Sequence, residues 1–390
     1  MVHVFCSPLR YVQGPAATAR LGAEMRSVGL EGPCLLVAGS TAVARLAPIW
    51  AETLDESGFV SRVRLFGGES SRREIAAIVE EARSLGCRTI VAAGGGKVLD
   101  AARSAAAQLG LHFVSCPTVC STDAPTSALS VIYHDSGPQR GAVETYQIHR
   151  RSPDLVLVDT QVIAESPPRL LAAGIGDALS TWYEARAAAA ADKPNMRGGR
   201  ATLAAMALAR LCRDTVLADG EAALTACRER RSTPALERIV EATTLLSGLG
   251  FESAGLAAAH AVHNGLTAVP ETHGMWHGEK VAFGTLVHLM LEADAAGGED
   301  QPEAAAVEAR LLAAFCVRIG LPVTLAQLGL PDDDGGPPPA AVRRIAARAT
   351  AAGETIHNMP FPVDADRVAS AIGAADAVGR AALGSGRPAD

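Results

Sequence analysis

Four of the ten histidines in this chain, His260, His263, His273 and His277, fall within the eighteen residues HAVHNGLTAVPETHGMWH. His260 and His263 lie three residues apart in a helical pattern and share one face, and His277 follows a loop that could return it to that face. Two of these histidines with one carboxylate would form a site for a divalent metal. Each histidine alone is also compatible with an ordinary core or surface position.

A candidate carboxylate stands in the segment GIGDALSTWYEARA, where Asp177 follows Gly174 and Gly176. We expect Asp177 to open a helix in the second half of the chain. There it could ligate a metal, or it could act as an N-cap or first-turn residue that interacts with the helix dipole. Sequence spacing alone leaves both roles open.

A glycine turn joins a buried strand to a helix in TIVAAGGGKVLDAARSAAAQLG. Gly94, Gly95 and Gly96 let the backbone approach a phosphate, and the first N–H groups of the following helix favour an anion. A lysine follows the third glycine directly, so the segment matches neither the GxGxxG nor the Walker pattern. The segment predicts a phosphate-binding turn, with a tight turn that binds no ligand as the alternative.

A polar loop follows the next strand in CPTVCSTDAPTSALSVIY, residues 116–133. In an open parallel sheet, ligands bind outside the carboxyl ends of the strands, where we expect both this loop and the glycine turn. Hydrogen bonds among Ser, Thr and Asp side chains could equally stabilise a loop without a ligand. The polar side chains available for binding are Thr118, Ser121, Thr122, Asp123, Thr126 and Ser127.

Short apolar runs alternate with helical patterns over the first 160 residues, and these elements must position the groups above. The helical spacing is clearest in SRREIAAIVEEARSLG, residues 71–86, where the apolar side chains share one face. Continuously apolar strands predict a parallel sheet with helices on both faces. The predicted strands are CLLVA at 34–38, VSRVRLF at 60–66, TIVAA at 89–93, HFVSC at 112–116 and LVLVD at 155–159.

Strand patterns stop near residue 162, and long Ala- and Leu-rich helical stretches follow. At about 100 to 200 residues per domain, a chain of 390 residues predicts two domains. We expect an α/β domain at 1–162 and an all-α domain at 163–390. In the latter, Gly and Pro predict a surface loop at 331–340 and a frayed tail at 384–390.

The composition limits the partners of the chain. The 42 Asp and Glu residues exceed the 35 Lys and Arg residues, and the net charge of −7 without a long basic run disfavours nucleic acid. We find no run of about eighteen apolar residues and no signal-peptide pattern, so we expect a cytoplasmic protein without a membrane partner. The eight cysteines are scattered, as expected of reduced core thiols.

Six segments between residues 94 and 286 resemble, in order, the glycerol dehydrogenase branch of the iron-containing (group III) alcohol dehydrogenases. They are GGGKVLDAA, PTVCSTDAPTSALSVIY, PDLVLVDT, GIGDALSTWYEARA, GFESAGLAAAHAVHNGLT and ETHGMWHGEKVAFGTL. The resemblance implies a dehydroquinate synthase-like fold, with an α/β dinucleotide-binding domain and an all-α domain for metal and substrate. It also implies a metal-dependent dehydrogenase that transfers hydride between a small vicinal diol or polyol, such as glycerol, and NAD or NADP.

The resemblance implies metal ligands that spacing could not assign. Asp177, His260 and His277 would be the protein ligands of a zinc ion, and the same donors accept iron or manganese. His263 and His273 would be neighbours rather than ligands. A bound divalent metal lowers the pKa of a reacting hydroxyl, which allows the adjacent C–H to deliver hydride to the nicotinamide.

The resemblance also implies the groups around substrate and cofactor. Asp123 and His260 would be the catalytic residues, and Asp123 would orient a second hydroxyl, which favours polyols over simple alcohols. Phe251 would line the same substrate pocket. The residues implied in cofactor binding are Gly94, Gly95, Gly96, Lys97, Asp100, Thr118, Ser127, Leu129 and Tyr133.

One position departs from the family's pattern. After the first apolar strand, glycerol dehydrogenases usually carry an aspartate that binds the adenosine ribose, whereas CLLVAGSTAVARL has Gly39 and Ser40 there. Without that carboxylate a 2′-phosphate is rejected less strongly, and Gly-Ser is similar to NADP-using relatives. Gly39 and Ser40 therefore join the cofactor-contacting set, and the cofactor is expected to be NAD or NADP.

Other functions compete with this interpretation. One is an NADP-dependent reductase of a specialised polyol or carbonyl substrate. A dehydroquinate synthase-like cyclase, or an enzyme for a phosphorylated substrate, needs several basic residues, and the site segments offer mainly Lys97 and Lys280. The complete set of Asp177, His260 and His277 disfavours a non-catalytic cofactor-binding protein. We expect a small-molecule diol, polyol or carbonyl substrate and, by analogy with relatives, a homo-oligomer.

Overall fold

The computed structural model describes residues 2–137, 141–295, 301–330 and 339–385. Over these residues the chain forms two compact units. The first consists of Cys6–Leu171 and Thr225–Gly248, and the second of the described parts of Met1–Phe5, Ala172–Leu224 and Leu249–Asp390. The loop predicted at 331–340 and the tail predicted at 384–390 lie mostly outside the described residues.

Strands occur in the first unit only, as far as the described residues show. They are β1 (Arg10–Gly14), β2 (Cys34–Ala38), β3 (Ser61–Leu65), β4 (Thr89–Gly94), β5 (His112–Pro117), β6 (Leu129–Tyr133), β7 (Val143–Ile148) and β8 (Leu155–Asp159). Six of them form a parallel sheet in the order β1-β8-β5-β4-β2-β3, and β6 and β7 form a separate antiparallel hairpin. The predicted parallel sheet is confirmed, whereas β1 and the hairpin were not predicted.

Helices precede and follow the strands and make up most of the second half of the chain. Those described are α1 (Leu21–Ser27), α2 (Ser40–Glu56), α3 (Arg72–Ser84), α4 (Gly96–Leu109), α5 (Thr160–Ala164), α6 (Pro168–Ala190), α7 (Leu203–Arg228), α8 (Pro234–Glu241), α9 (Ser247–Ala254), α10 (Ala258–Thr267), α11 (His277–Ala295), α12 (Gln301–Ile319), α13 (Pro339–Ala349) and α14 (Ala365–Ser385). A π-helical turn, Ala242–Leu246, joins α8 to α9.

The strands of the sheet bury side chains on both faces, which explains their continuous apolar sequence. On β2, Leu36 packs in the core that includes Trp50 of α2, whereas Leu35 packs in the opposite core with Ile78 of α3. Successive side chains of a strand point to opposite faces, so helices must cover both. The predicted helices on both faces of the sheet are confirmed.

The strand order places the glycine turn after β4 next to the turn at Gly39, which follows β2. From β2 the chain turns to β3 on one side, and β4 lies on the other side of β2. Such a reversal opens a crevice at the carboxyl ends of the strands, where dinucleotides bind in doubly wound sheets. Gly39 follows β2 and Gly95 follows β4, so the fold brings both turns to this crevice.

The second unit is helical, as predicted, apart from an isolated parallel bridge between His3 and Arg200. The expected position of Asp177 is wrong, because Asp177 lies in the middle of α6 rather than at a helix start. Gly176 does not end a helix here but permits a close helix crossing, because a Cβ at this position would lie 2.5 Å from the carbonyl oxygen of Gly278 on α11. No single described helix has both the length and the apolar composition to cross a membrane, although the bent pair Pro234–Ala254 and Ala258–Thr267 meets these criteria jointly.

The segment Thr225–Gly248 belongs to the first unit, although it follows the predicted domain boundary at residue 162. Hydrogen bonds between partly buried polar groups account for this placement. Gln13 of β1 donates to a carboxylate oxygen of Glu237 (2.8 Å), and the Tyr11 and Thr244 hydroxyls lie 2.7 Å apart. The boundaries 1–162 and 163–390 stay a prediction about independently folding domains.

Candidate active site

Three side chains of the second unit meet at one point and form a candidate metal centre. One ligand atom from each of Asp177, His260 and His277 lies within 4.8 Å of the others. Oδ1 of Asp177 is 3.1 Å from Nε2 of His277 and 3.6 Å from Nε2 of His260. One carboxylate and two imidazoles suit zinc or another borderline divalent metal and leave open coordination positions.

Glycines allow the helices that carry these ligands to approach closely. A Cβ on Gly278 of α11 would lie 1.7 Å from the carbonyl oxygen of Ala173 on α6, one turn before Asp177. A Cβ on Gly284 would lie 2.4 Å from the carbonyl oxygen of Ala259 on α10, next to His260. Because Gly278 and Gly284 lack side chains, α11 packs closely against α6 and α10, which places the three ligands close together.

Glu184 contacts the metal centre from behind His260 and was not identified from the sequence. Its Oε2 lies 2.6 Å from Nδ1 of His260, and its Oε1 accepts the backbone N–H groups of Ala257 (2.8 Å) and His260 (3.0 Å). Asp177 and Glu184 are seven residues apart on α6, about two helical turns, and so share a face. The seven-residue spacing between Asp177 and Glu184 is the sequence signal from which Glu184 could have been identified.

The charges of this cluster influence one another. Burial by itself raises the pKa of the Asp177 carboxyl, but the His277 and His260 rings outweigh burial and hold that pKa below its usual range. Burial lowers the pKa of His260, but the Glu184 and Asp177 carboxylates outweigh it and raise that pKa. The buried carboxylates thus stabilise positive charge between them, which a divalent cation could supply in place of a proton.

The other two histidines of the predicted cluster lie outside the three-residue group. The ring of His263 is 4.2 Å from that of His277, centre to centre, and its Nδ1 is 3.1 Å from Oδ1 of Asn264. Burial, followed by the charges of His277 and Lys280, lowers the pKa of His263 and keeps it neutral. His273 is exposed, and its Nε2 lies 3.0 Å from the carbonyl oxygen of Thr267.

The first unit presents the glycine turn as an uncapped helix N-terminus. Gly95 is the N-cap residue of α4 in an extended conformation, no side chain caps the helix, and its first turn carries no acidic residue. The N–H of Thr118 donates to the carbonyl of Gly94 (3.1 Å), and a Cβ on Gly96 would lie 3.6 Å from Oγ1 of Thr122. The glycine turn and the polar loop are therefore adjacent, in an arrangement suited to a phosphate.

Lys97 and Tyr133, both predicted to bind the cofactor, lie beside this turn. The Lys97 ammonium is 2.8 Å from Oε2 of Glu69 and 5.0 Å from the centre of the Tyr133 ring. Thr118 is half-buried at the end of β5, and Leu129 begins β6. Lys97 and Tyr133 thus come together near the turn.

Asp100 is turned inward and stabilises the site rather than facing solvent. Its carboxylate accepts Nη1 of Arg103 (2.7 Å) and the N–H of Val131 (3.1 Å). Burial raises the pKa of Asp100 to about 6, against the opposing effect of Arg103. Arg103 also donates to the carbonyl oxygens of Leu129 and Ala124, so it fastens the polar loop to α4. Arg103 was not identified from the sequence, where the only signal was its position three residues after Asp100 on the predicted helix.

The polar loop also contacts the π-helical turn and the first two residues of α9. Ser247, fully buried, donates to Oδ2 of Asp123 (2.8 Å), and Oγ1 of Thr126 donates to the Thr244 carbonyl (2.9 Å). A Cβ on Gly248 would lie 1.9 Å from Oγ1 of Thr126. Because π-helical turns often occur at functional sites, this contact supports a defined role for the loop.

The remaining predicted residues lie at separate places. Ser127 is buried in the polar loop, and Phe251 is buried on α9 in the second unit. Gly39 is the N-cap residue of α2, and a Cβ added there would have no atom within 4 Å. Ser40 is exposed as the first residue of α2, whose first turn has no acidic side chain.

The chain is similar to known proteins over nearly its whole length. The family model described as iron-containing alcohol dehydrogenase matches residues 8–160. The chain is 45% identical to a glycerol dehydrogenase of Escherichia coli O6:H1, over 97% of this chain and 98% of that protein. It is 42% identical to a glycolaldehyde reductase of Halobacterium salinarum, over 97% of this chain and 99% of that protein. The crystal structure of glycerol dehydrogenase from Schizosaccharomyces pombe superposes with a TM-score of 0.89 at 35% identity, covering 98% of this chain and 92% of that one.

Proposed function

The chain belongs to the glycerol dehydrogenase branch of the iron-containing alcohol dehydrogenases and is an oxidoreductase acting on CH–OH groups, and we propose that it transfers hydride between a small vicinal diol such as glycerol and a nicotinamide cofactor. The family is NAD(P)-dependent and metal-dependent. The single observation that carries the proposal is the convergence of Asp177, His260 and His277 on one point.

We propose that these three residues hold zinc, with iron or manganese as metals that the same donors accept. Their chemistry and their mutual distances of less than 4.8 Å fit such an ion. When bound, the ion would act as a Lewis acid that lowers the pKa of a diol hydroxyl. Asp177, His260 and His277 would hold it, and the remaining coordination positions would be open to the two oxygens of the diol.

Asp123 is proposed to bind and orient the substrate. Its carboxylate, held by Ser247, can accept a hydrogen bond from a substrate hydroxyl and so select polyols over simple alcohols. Phe251 is proposed to cover the apolar edge of the same substrate. Orientation matters because hydride transfer requires the carbinol carbon at about 3–3.5 Å from the acceptor carbon of the nicotinamide.

The first unit is proposed to bind the dinucleotide and the second to hold the metal. Gly94, Gly95 and Gly96 would receive the pyrophosphate at the N-terminus of α4, as uncapped helix N-termini do. The other proposed cofactor contacts are Lys97, Thr118, Ser127, Leu129, Tyr133, Gly39 and Ser40, with Asp100 acting through the backbone of Val131. Open space at Gly39 and the lack of a carboxylate there support acceptance of NADP as well as NAD.

We further propose the setting in which the enzyme works. A net charge of −7 supports a small-molecule substrate rather than nucleic acid. The scattered cysteines, seven of them buried and all eight free of disulfides, support the reducing environment of the cytoplasm, without a membrane partner. We propose a homo-oligomer by analogy with the family.

The proposal is tested by initial rates on the purified, zinc-loaded protein with glycerol and 1,2-propanediol, each with NAD and with NADP. The control is the double variant Asp177→Ala, His260→Ala. We expect zinc-dependent reduction of the cofactor in the wild type and none in the variant. A wild-type protein that binds cofactor yet oxidises no small diol would contradict the proposed substrate.

A second candidate is an NADP-dependent reductase of a small hydroxy-carbonyl substrate. The observations that favour it are Gly39 and Ser40 at the ribose position and the similarity to a protein named glycolaldehyde reductase. Reduction of glycolaldehyde by NADPH that far exceeds glycerol oxidation at neutral pH would support this candidate. Faster turnover of glycerol with NAD would support the first.

A further inference from the structure

We propose that Glu184 is a positioning residue for the metal centre, because its carboxylate fixes the tautomer and the direction of the His260 ring. This inference rests on the metal site of the proposed function. Glu184 does not belong to the three-residue group that could hold the metal. It would therefore act on metal affinity only through His260.

The geometry around Glu184 leaves little freedom to either side chain. Glu184 is fully buried, and its two oxygens face three donors. Nδ1 of His260 lies 2.6 Å from Oε2, while the backbone N–H groups of Ala257 and His260 donate to Oε1 at 2.8 and 3.0 Å. The ring of His260 is thus held at its backbone and at one nitrogen by the same carboxylate.

This contact determines which nitrogen of His260 is available to a metal. A neutral imidazole carries one N–H and one lone pair, and an ionised carboxylate only accepts hydrogen bonds. Nδ1 must therefore carry the hydrogen that Glu184 accepts, which leaves the lone pair on Nε2. That nitrogen faces Oδ1 of Asp177 at 3.6 Å. Such outer carboxylates also raise the basicity of the ligating nitrogen.

Glu184 also has a structural role that the test must separate from the proposed one. The N-cap residue of α10, Ala257, offers no side-chain cap, and Glu184 binds its N–H from another helix. Removing the carboxylate will therefore destabilise α10 whether or not a metal is involved. Loss of stability alone is uninformative, and metal affinity and the tautomer of His260 are the relevant quantities.

The second unit contains a matched control pair. His288 is fully buried on α11, and its Nε2 lies 3.3 Å from Oε1 of Glu292. Glu292 is partly buried, and burial by itself raises the pKa of its carboxyl, but His288 and Arg186 outweigh burial and lower that pKa to about 2. His288 is absent from the metal group found among the described residues. Glu292→Gln thus disrupts a histidine–carboxylate pair, together with the ion pair of Glu292 with Arg186 (2.5 Å), without touching a proposed ligand.

The experiment measures zinc affinity of the full-length apo-protein by competition with a chromophoric chelator, for wild type, Glu184→Gln, Glu292→Gln and Asp177→Asn. We expect Glu184→Gln to weaken zinc binding by about 10- to 100-fold, the usual cost of losing an outer-shell partner. Glu292→Gln should bind zinc like the wild type. In ¹⁵N-histidine NMR spectra of the zinc-loaded wild type, His260 should carry its proton on Nδ1, which does not depend on whether a Glu184 variant folds.

The outcomes separate this inference from the proposed function. Wild-type affinity in Glu184→Gln, equal weakening in both glutamine variants, or an Nε2-protonated His260 would overturn the role of Glu184 while leaving the metal site intact. A wild type that binds zinc no better than Asp177→Asn would overturn both the metal site and this inference. The expected pattern, with the tautomer on Nδ1, supports both.

Discussion

The crossing of α6 and α11 offers the sharpest test of how the metal centre is built, through the variant Gly278→Ala. The new Cβ would lie 1.7 Å from the carbonyl oxygen of Ala173. A carbon–oxygen contact needs about 3.3 Å, so the helices must separate by about 1.6 Å. Gly278 follows the proposed ligand His277 directly, so this shift acts on the 3.1 Å approach of His277 to Asp177.

The expected consequences of Gly278→Ala follow from this displacement. Overpacking should destabilise the protein by about 1–3 kcal/mol. A misplacement of about 1 Å at a reacting centre can lower the rate about 100-fold, and we expect a loss of that order in kcat/KM for glycerol, together with weaker zinc binding. Steady-state kinetics and zinc competition measure both effects.

A matched control is available four residues away. Gly274 has no atom within 4 Å of an added Cβ and no positive φ, so Gly274→Ala should leave stability, zinc affinity and kinetics unchanged. If Gly278→Ala also retained wild-type zinc affinity and kcat/KM, the close helix crossing would not determine the geometry of the site, and the reasoning above would be refuted.

Four further outcomes are expected. Ser247→Ala removes the hydrogen bond that Ser247 donates to Asp123, which is worth about 1.5 kcal/mol, and should raise KM for glycerol about 10-fold. The dissociation constant of NADH, measured by fluorescence, should not change, and weaker NADH binding would contradict this. Gly39→Asp, which has room for its side chain, should raise the ratio of kcat/KM with NAD to kcat/KM with NADP by about 10-fold or more. An unchanged ratio would contradict the proposal that Gly39 lies beside the adenosine ribose. The pKa of Asp100 is raised from 3.8 to about 6 in the folded state, so its protonated form stabilises the fold below about pH 4, and that contribution is lost as pH rises through 6. Over this window the free energy of unfolding of the wild type, measured by thermal unfolding, should fall by about 3 kcal/mol relative to that of Asp100→Asn. Parallel pH curves for the two proteins would disprove the shift. Chelation of the metal should lower the Tm of the wild type and not that of the double variant Asp177→Ala, His260→Ala, since only a bound ligand can be removed.

The sheet could be predicted from the sequence where its strands are buried on both sides. CLLVA and the first four residues of LVLVD are apolar because no residue of β2 or β8 is exposed. β1 was missed because RYVQG is only half-buried and lacks both a continuous apolar run and alternation. β7 of the hairpin was missed for the same reason, since VETYQI is largely polar and partly exposed.

The candidate ligands could be found by residue type, family resemblance and local spacing, whereas their supports could not. Glu184 and Asp177 share a helix, so periodicity contained some information. Ser247 meets Asp123 across 124 positions of sequence, and nothing local marks that partner. The helix crossings at Gly278 and Gly284 depend on tertiary packing, and a glycine in a helix reads in sequence as a break rather than a contact.

The interleaving of the two units has a consequence for how the protein is made. Tyr11 and Gln13 of the first unit contact Thr244 and Glu237, which the ribosome synthesises only after the whole intervening second-unit segment Ala172–Leu224. At about 5–20 residues per second, the delay between Leu171 and Gly248 is about 4–15 seconds, during which the nascent first unit has an uncovered edge at β1. Neither unit is a continuous piece of the chain, so an exchange of one unit with a relative would need four junctions, after Phe5, Leu171, Leu224 and Gly248.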